Sequence, residues 1–196
     1  MVQSARFAHW DGLSPPLNQT LNTCRENNGL TKLERLNLIN QFFILEKLYP
    51  EDSDYYAKHR KALQEGYTLH YKWVFEHLYD ELSEEECKEV LNILEMYRAI
   101  AWSYMQNTGK NEVDERRYQF SGFDGNNETS QLSYTSYFIV ELDRFQELLY
   151  GKEYNDFNSH MPMLEKYRRM LAVWQSFGGQ KKMSLSRDQI EDILEA

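Results

Sequence analysis

Three times along this chain a serine or threonine stands three residues before a glutamate or glutamine, just ahead of an apolar run: Thr31 and Glu34, Ser83 and Glu86, Ser186 and Gln189. At that spacing the hydroxyl accepts from a free N–H of the first helical turn, while the longer side chain reaches back to the N–H of the capping residue. Each pair therefore marks a helix start. The apolar residues that follow keep helical period: Leu38, Phe42, Leu45 and Tyr49 after the first; Val90, Leu94, Tyr97, Ala101 and Tyr104 after the second; Ile190, Ile193 and Leu194 after the third. No run shows the strict apolar–polar alternation of a strand, and no internal repeat recurs. The expectation is an all-α fold, a compact multi-helix domain of about six to seven helices.

Further helices fill the intervals. The first helix carries a second stripe, Leu36, Ile39 and Phe43, and ends at Pro50; so wide an apolar arc places it centrally or at a subunit interface. A second helix is expected from about Ser53 to Gln64, broken by Gly66 from a third with Tyr67, Tyr71, Val74 and Leu78 on one face. Another is expected from Glu128 to Tyr150, with Phe138, Leu142, Phe145 and Leu149 as its inner face. Pro162 then suits a first-turn position, since no N–H is needed there, and Gly178 and Gly179 close a helix faced by Leu164, Tyr167, Leu171 and Trp174. Residues 1–29, with Pro15 and Pro16 and no sustained period, read as a flexible or loosely docked leader, leaving 30–196 as the helical domain.

The charge balance narrows the partners. The 196 residues carry a formal net charge of −9, and from Glu76 to Glu95 eight acids face one base. Glu84, Glu85 and Glu86 fall in a first helical turn, where the positive end of the helix dipole stabilises them. Such a surface repels phosphate backbones and lacks the basic patch that drives nucleic-acid binding, although Arg116, Arg117, Arg168, Arg169, Lys181 and Lys182 could form a smaller one. The two cysteines, Cys24 and Cys87, make no disulfide framework. No stretch approaches the roughly 18 apolar residues of a membrane span, and the N-terminus has no continuous apolar signal core. The expected compartment is a reducing cytoplasm.

The segment between the long helical patterns, "NEVDERRYQFSGFDGNNE", has a different character. Arg116 and Arg117 present planar forks suited to carboxylate or phosphate, and Asp114 and Glu115 could position them or act as a base. Gly122 and Gly125, with Asp124 between them, permit tight turns with N–H groups open to an anion. Asp114, Glu115, Arg116, Arg117 and Asp124 are therefore the candidate ligand-binding residues. A structural reading competes: an ordered loop near residues 108–127 needs glycines to turn, acids to cap and arginines to satisfy carbonyl ends, with Tyr118, Phe120 and Phe123 pinning it to the core. His70 and His77 lie about two turns apart, too far for one ion unaided, and no HExxH, CxxC, Walker, GxGxxG or nucleophile-elbow pattern is present. No metal or cofactor is expected.

At this segment the chain resembles a known family. "LNLINQFFILEKLYPED", "EEECKEVLNILEMYRAI", "VDERRYQFSGFDGNNE" and "FNSHMPMLEKYRRMLAVW", in that order along the chain, are similar to blocks of the YfbU-like family of uncharacterised bacterial proteins, from about Leu30 to Ala196. The resemblance implies a small helical cytoplasmic protein that self-associates, and it supplies no activity, cofactor or catalytic residue; the leader departs from the family pattern. Fourteen tyrosines and paired aromatics such as Tyr134 with Phe138 and Tyr97 with Trp102 add interface area, favouring a homo-oligomer over a monomer. The expected role is a helical regulator or adaptor acting through protein contacts. The alternative is an anion-binding or hydrolytic enzyme centred on the DERR and GFDG segment.

Overall fold

A computed structural model describes residues 29–151 and 156–196. The expected leader lies outside the described residues, apart from its last position. The described residues form seven α-helices: α1 (Lys32–Leu48), α2 (Ser53–Glu65), α3 (Tyr71–Val74), α4 (Glu84–Thr108), α5 (Thr129–Ser136), α6 (Leu164–Ser176) and α7 (Arg187–Leu194). The fold is all-α, and the one extended contact among the described residues is an isolated parallel bridge between Phe123 and Asn158. The three capping boxes all form: Thr31 caps α1, Ser83 caps α4 and Ser186 caps α7, each with its partner side chain returned to the cap N–H.

The chain divides between Tyr79 and Asp80 into two compact units. The first is a helical hairpin. α1 turns its Phe42 and Tyr49 side toward α2, where Phe42 stacks on His59 at 5.5 Å and Tyr49 meets Tyr56 at 6.4 Å. Arg35 ties the hairpin by donating to the Leu63 carbonyl through Nε at 2.9 Å and Nη2 at 2.5 Å, and Arg60 pairs with Glu46. Yet α1 buries no residue completely, so it is not a central helix. Its outer side leaves Leu33, Leu36, Phe43, Ile44 and Leu48 exposed.

The expected third helix is cut short. A 3-10 turn, Thr68–His70, leads into the four residues of α3, and Leu78 lies beyond the helix and exposed. Gly66, in the left-handed region at φ 74°, ends α2 as expected.

The second unit is organised around α4. Val90, Ile93, Leu94, Tyr97, Ile100 and Tyr104 are buried along it and meet Tyr167, Met170 and Trp174 of α6 and Ile190 and Ile193 of α7 in one apolar cluster. The long helix expected over 128–150 does not form. α5 stops at Ser136, a π-turn covers Tyr137–Glu141, and a 3-10 turn covers Gln146–Leu149. The break comes where Asp143 and Phe145 take left-handed backbone (φ 52° and 54°), which seats Phe145 at 5% exposure against Phe138, 5.8 Å away. Burial of an aromatic ring outweighs about 1–2 kcal/mol of backbone strain at such a position. Pro162 stands just outside α6, whose first residue is Leu164, rather than within its first turn.

Candidate functional site

The segment from Val113 to Glu128 is held down by its aromatics. Phe120 and Phe123 lie 5.8 Å apart and both pack on Tyr167 of α6, at 5.8 and 5.5 Å; Tyr97 of α4 approaches Phe120 at 5.3 Å. Polar ties complete the anchoring. The Phe120 N–H donates to the Tyr150 hydroxyl at 2.6 Å, and the Tyr167 hydroxyl donates to the Gly122 carbonyl at 2.9 Å. Burial pushes the Tyr150 and Tyr167 hydroxyls far above their ordinary range, so both stay protonated, Tyr150 as the acceptor and Tyr167 as the donor of these bonds.

A second strand of chain, 156–160, runs beside this one. The Phe123 N–H donates to the Phe157 carbonyl at 2.9 Å and the Ser159 N–H returns to the Phe123 carbonyl at 3.0 Å. The approach is so close that a Cβ on Gly122 would fall on the Phe157 carbonyl, and Gly122 itself sits at φ 88°. Here glycine is required twice over. Phe157 and His160 take left-handed backbone, φ 51° and 58°, and the Asn158 side-chain oxygen accepts from both the Gly125 and the His160 N–H, at 3.1 and 2.9 Å.

Below the pair lies a buried carboxylate that the sequence pattern placed only as a helix start. Glu128, 6% exposed, accepts from the N–H groups of Met163 (2.8 Å), Leu164 (2.7 Å) and Asp124 (2.9 Å). It caps α6 from 35 positions away. Capping signals are read over three residues, so nothing local could have shown this one.

Between the two strands opens a cleft of about 540 Å³. Arg116 and Arg117, from a 3-10 turn over Arg116–Tyr118, line one side with Ser121; Asn158, Ser159 and His160 line the other. Of the five candidate residues the structure brings two, Arg116 and Arg117, to this cleft. Asp114 and Glu115 turn to Tyr104, whose hydroxyl donates to them at 2.5 and 3.0 Å, and Lys110 pairs with Asp114 at 2.7 Å. That pairing holds the Asp114 carboxyl below its ordinary range, and the two carboxylates push the Tyr104 hydroxyl up to about 12, Asp114 contributing most. Asp124 is 2% exposed and accepts from the Asn127 side chain and the Asn126 N–H; these bonds, with a smaller contribution from His160, lower its pKa.

The two arginines differ. Arg117 is engaged by Glu191 at 2.5 Å and Glu195 at 3.3 Å on α7. Arg116, exposed, makes no ion pair among the described residues. The cleft therefore offers one uncommitted guanidinium, a second shared with carboxylates, two hydroxyls and an imidazole. Asp156 is the acid on its wall. Such a set can hold an oxyanion through charge-assisted hydrogen bonds. His160 stands out in the sequence only as a loop histidine able to pair with an acid; Asn158 and Ser159 carry no motif and lie about 40 positions from the arginines, so nothing local joins this wall to them.

A family model for the YfbU domain matches residues 29–196, both compact units together. The chain belongs to the YfbU family. The UPF0304 protein MJECS11 of Methanocaldococcus jannaschii is 41% identical over 170 residues, covering 85% of this chain and 99% of that protein. The family is uncharacterised, so the biochemical function of the YfbU domain is unassigned. Among its described residues no helix is long and apolar enough to cross a membrane, and no group of three acids, histidines or cysteines is placed to hold a metal ion.

Proposed function

We propose that this YfbU protein is a self-associating helical regulator or adaptor of the cytoplasm, and that a second copy covers the outer side of α1. One observation carries the reading: a 17-residue helix with no buried residue exposes Leu33, Leu36, Phe43, Ile44 and Leu48, each more than half accessible. At 100° per residue these five fall within an arc of about 140°, on the side opposite the Phe42 and Tyr49 face that meets α2. The same arc carries the exposed Asn37, Asn40 and Lys47, so the surface is an apolar stripe crossed by three polar side chains; five exposed apolar residues on a helix already packed on its other side mark an interface surface. Two copies of one stripe can meet about a two-fold axis, joining two hairpins into a four-helix arrangement. Light scattering of the purified full chain tests this. Wild type is expected as a discrete oligomer and the double variant Leu36→Glu, Ile44→Glu as a monomer with unchanged helical circular dichroism; a monomeric wild type at all concentrations overturns the proposal.

A second reading rests on Arg116, which stands uncommitted in the cleft opposite Ser159 and His160. It is an anion-binding site, with hydrolysis less favoured because Lys110 and Tyr104 already engage Asp114. Phosphate or sulfate should raise the melting temperature of the wild type and leave Arg116→Ala unmoved. Equal shifts in both proteins would remove the site.

A further inference from the structure

A different cleft opens on the far flank of the hairpin, and nothing above assigns it. On α2, Tyr55, His59 and Ala62 follow one another at helical spacing along one wall; Tyr67, His70 and Trp73 form the other, across a space of about 390 Å³. We propose that this cleft binds a flat aromatic acid, its ring between the two aromatic walls and its anionic group at Lys58 and Lys61.

The walls are pre-organised. The His59 ring is held by two neighbours, stacked on Phe42 at 5.5 Å and edge-on to Tyr55 at 4.5 Å. Opposite, His70 lies 4.4 Å from the Trp73 ring and 6.2 Å from that of Tyr67. Aromatic faces held before binding cost little entropy on binding, and they favour flat π-systems over aliphatic ones of equal area. Burial lowers the His59 pKa, keeping the ring neutral near pH 7 and suited to stacking. Ala62, a small residue where its neighbours are rings, leaves the floor open. The volume falls within the range of about 300–1,000 Å³ usual for small-ligand sites.

Charge chooses among flat molecules. The cleft is lined by Lys58 and Lys61 and by no carboxylate. Neither lysine forms an ion pair among the described residues, in a chain whose net charge is −9. Two unneutralised cations beside an apolar slot complement an aromatic carboxylate or phosphate.

This proposal is independent of the α1 stripe, which lies on another face of the hairpin. Calorimetric titration of the full-length chain with 2-naphthoate, 2-naphthylmethanol and cyclohexanecarboxylate tests it. Naphthoate is expected to bind about tenfold more tightly than either analogue, one lacking the charge and the other the aromatic ring. The double variant Lys58→Gln, Lys61→Gln should bring naphthoate and naphthylmethanol to within about twofold of each other. Trp73→Ala should weaken both by about fivefold or more, with Tyr67→Ala as the substitute should Trp73→Ala fail to fold. Absence of saturable naphthoate binding below about 5 mM overturns the proposal, as does equal binding of the neutral analogue unaffected by the lysine changes. Naphthoate that dissociates the oligomer, with Trp73→Ala doing the same, would make the cleft the seat of a second copy and overturn it too.

Discussion

The carboxylate of Glu128 accepts from the backbone N–H of Met163, and from that of Leu164 beside it, at 2.7–3.0 Å. A side chain at the mouth of α5 thereby completes the first turn of α6, and by accepting the Asp124 N–H on Oε2 as well it fastens the cleft's two strands together.

Removing that carboxylate leaves buried N–H groups without acceptors. Glu128→Ala should therefore cost about 2–4 kcal/mol, and Glu128→Gln less, because an amide oxygen still accepts. Urea denaturation of both variants measures this; a loss below 0.5 kcal/mol, roughly the scatter of surface substitutions, would mean the cap is replaceable.

Gly122 tests the close approach of the strands. Its backbone is left-handed and its missing Cβ makes room for the Phe157 carbonyl. Gly122→Ala should lower stability by about 2–4 kcal/mol, combining left-handed strain with overpacking. Gly109, also left-handed but with nothing near its absent Cβ, serves as control. Gly109→Ala should cost about 1 kcal/mol, the strain alone. Equal losses at the two positions would refute the steric argument.

Asp124 gives a pH dependence with a definite sign. Its folded pKa is lowered by the Asn127 amide first and the Asn126 N–H second. A carboxyl depressed in the folded state stabilises above its unfolded value, about 3.9, and that contribution vanishes as pH falls through the folded value. The stability difference between wild type and Asp124→Asn should thus be largest near pH 6 and shrink below about pH 4. Thermal melts across that range read it directly, and a difference that grows on acidification contradicts the assignment.

The Arg117 pair with Glu191 looks strong at 2.5 Å, yet Arg117 is 52% exposed. Solvent screening limits what such a pair contributes, so a double-mutant cycle over Arg117→Ala and Glu191→Gln should return a coupling below about 1 kcal/mol. The Tyr118 hydroxyl, which donates to Glu191 at 2.6 Å, keeps that carboxylate partnered when the arginine is gone. A coupling of several kcal/mol would mark the pair as structural and argue against Arg117 as a ligand group.

Helix starts were legible because capping is local: Thr31, Ser83 and Ser186 each announce themselves within four residues. α4 could be followed to Asn107 by its apolar period alone, and the structure carries it one residue further. The region from Ser136 to Tyr150 was not legible, since its breaks are made by Asp143, Phe145 and Tyr150 in left-handed backbone without any glycine or proline to signal them. The stripe Tyr67, Tyr71, Val74 and Leu78 kept helical period, yet the chain leaves the helix after Val74. Of the cleft, the arginine side could be seen in the sequence by residue type. Its other side, Asn158 to His160, is joined to it by backbone bonds, and backbone bonds leave no mark on composition.

The stretch from Phe157 to Leu164 has little freedom to change length. Phe157 fills the ring cluster, Asn158 serves two N–H groups, Ser159 closes the bridge to Phe123, and Met163 and Leu164 meet the Glu128 carboxylate. Inserting or deleting a single residue would move at least one of these off its partner. Connecting segments ordinarily absorb such changes, but this one behaves as a ruler of fixed length, and an insertion anywhere from Phe157 to Leu164 is expected to cost stability.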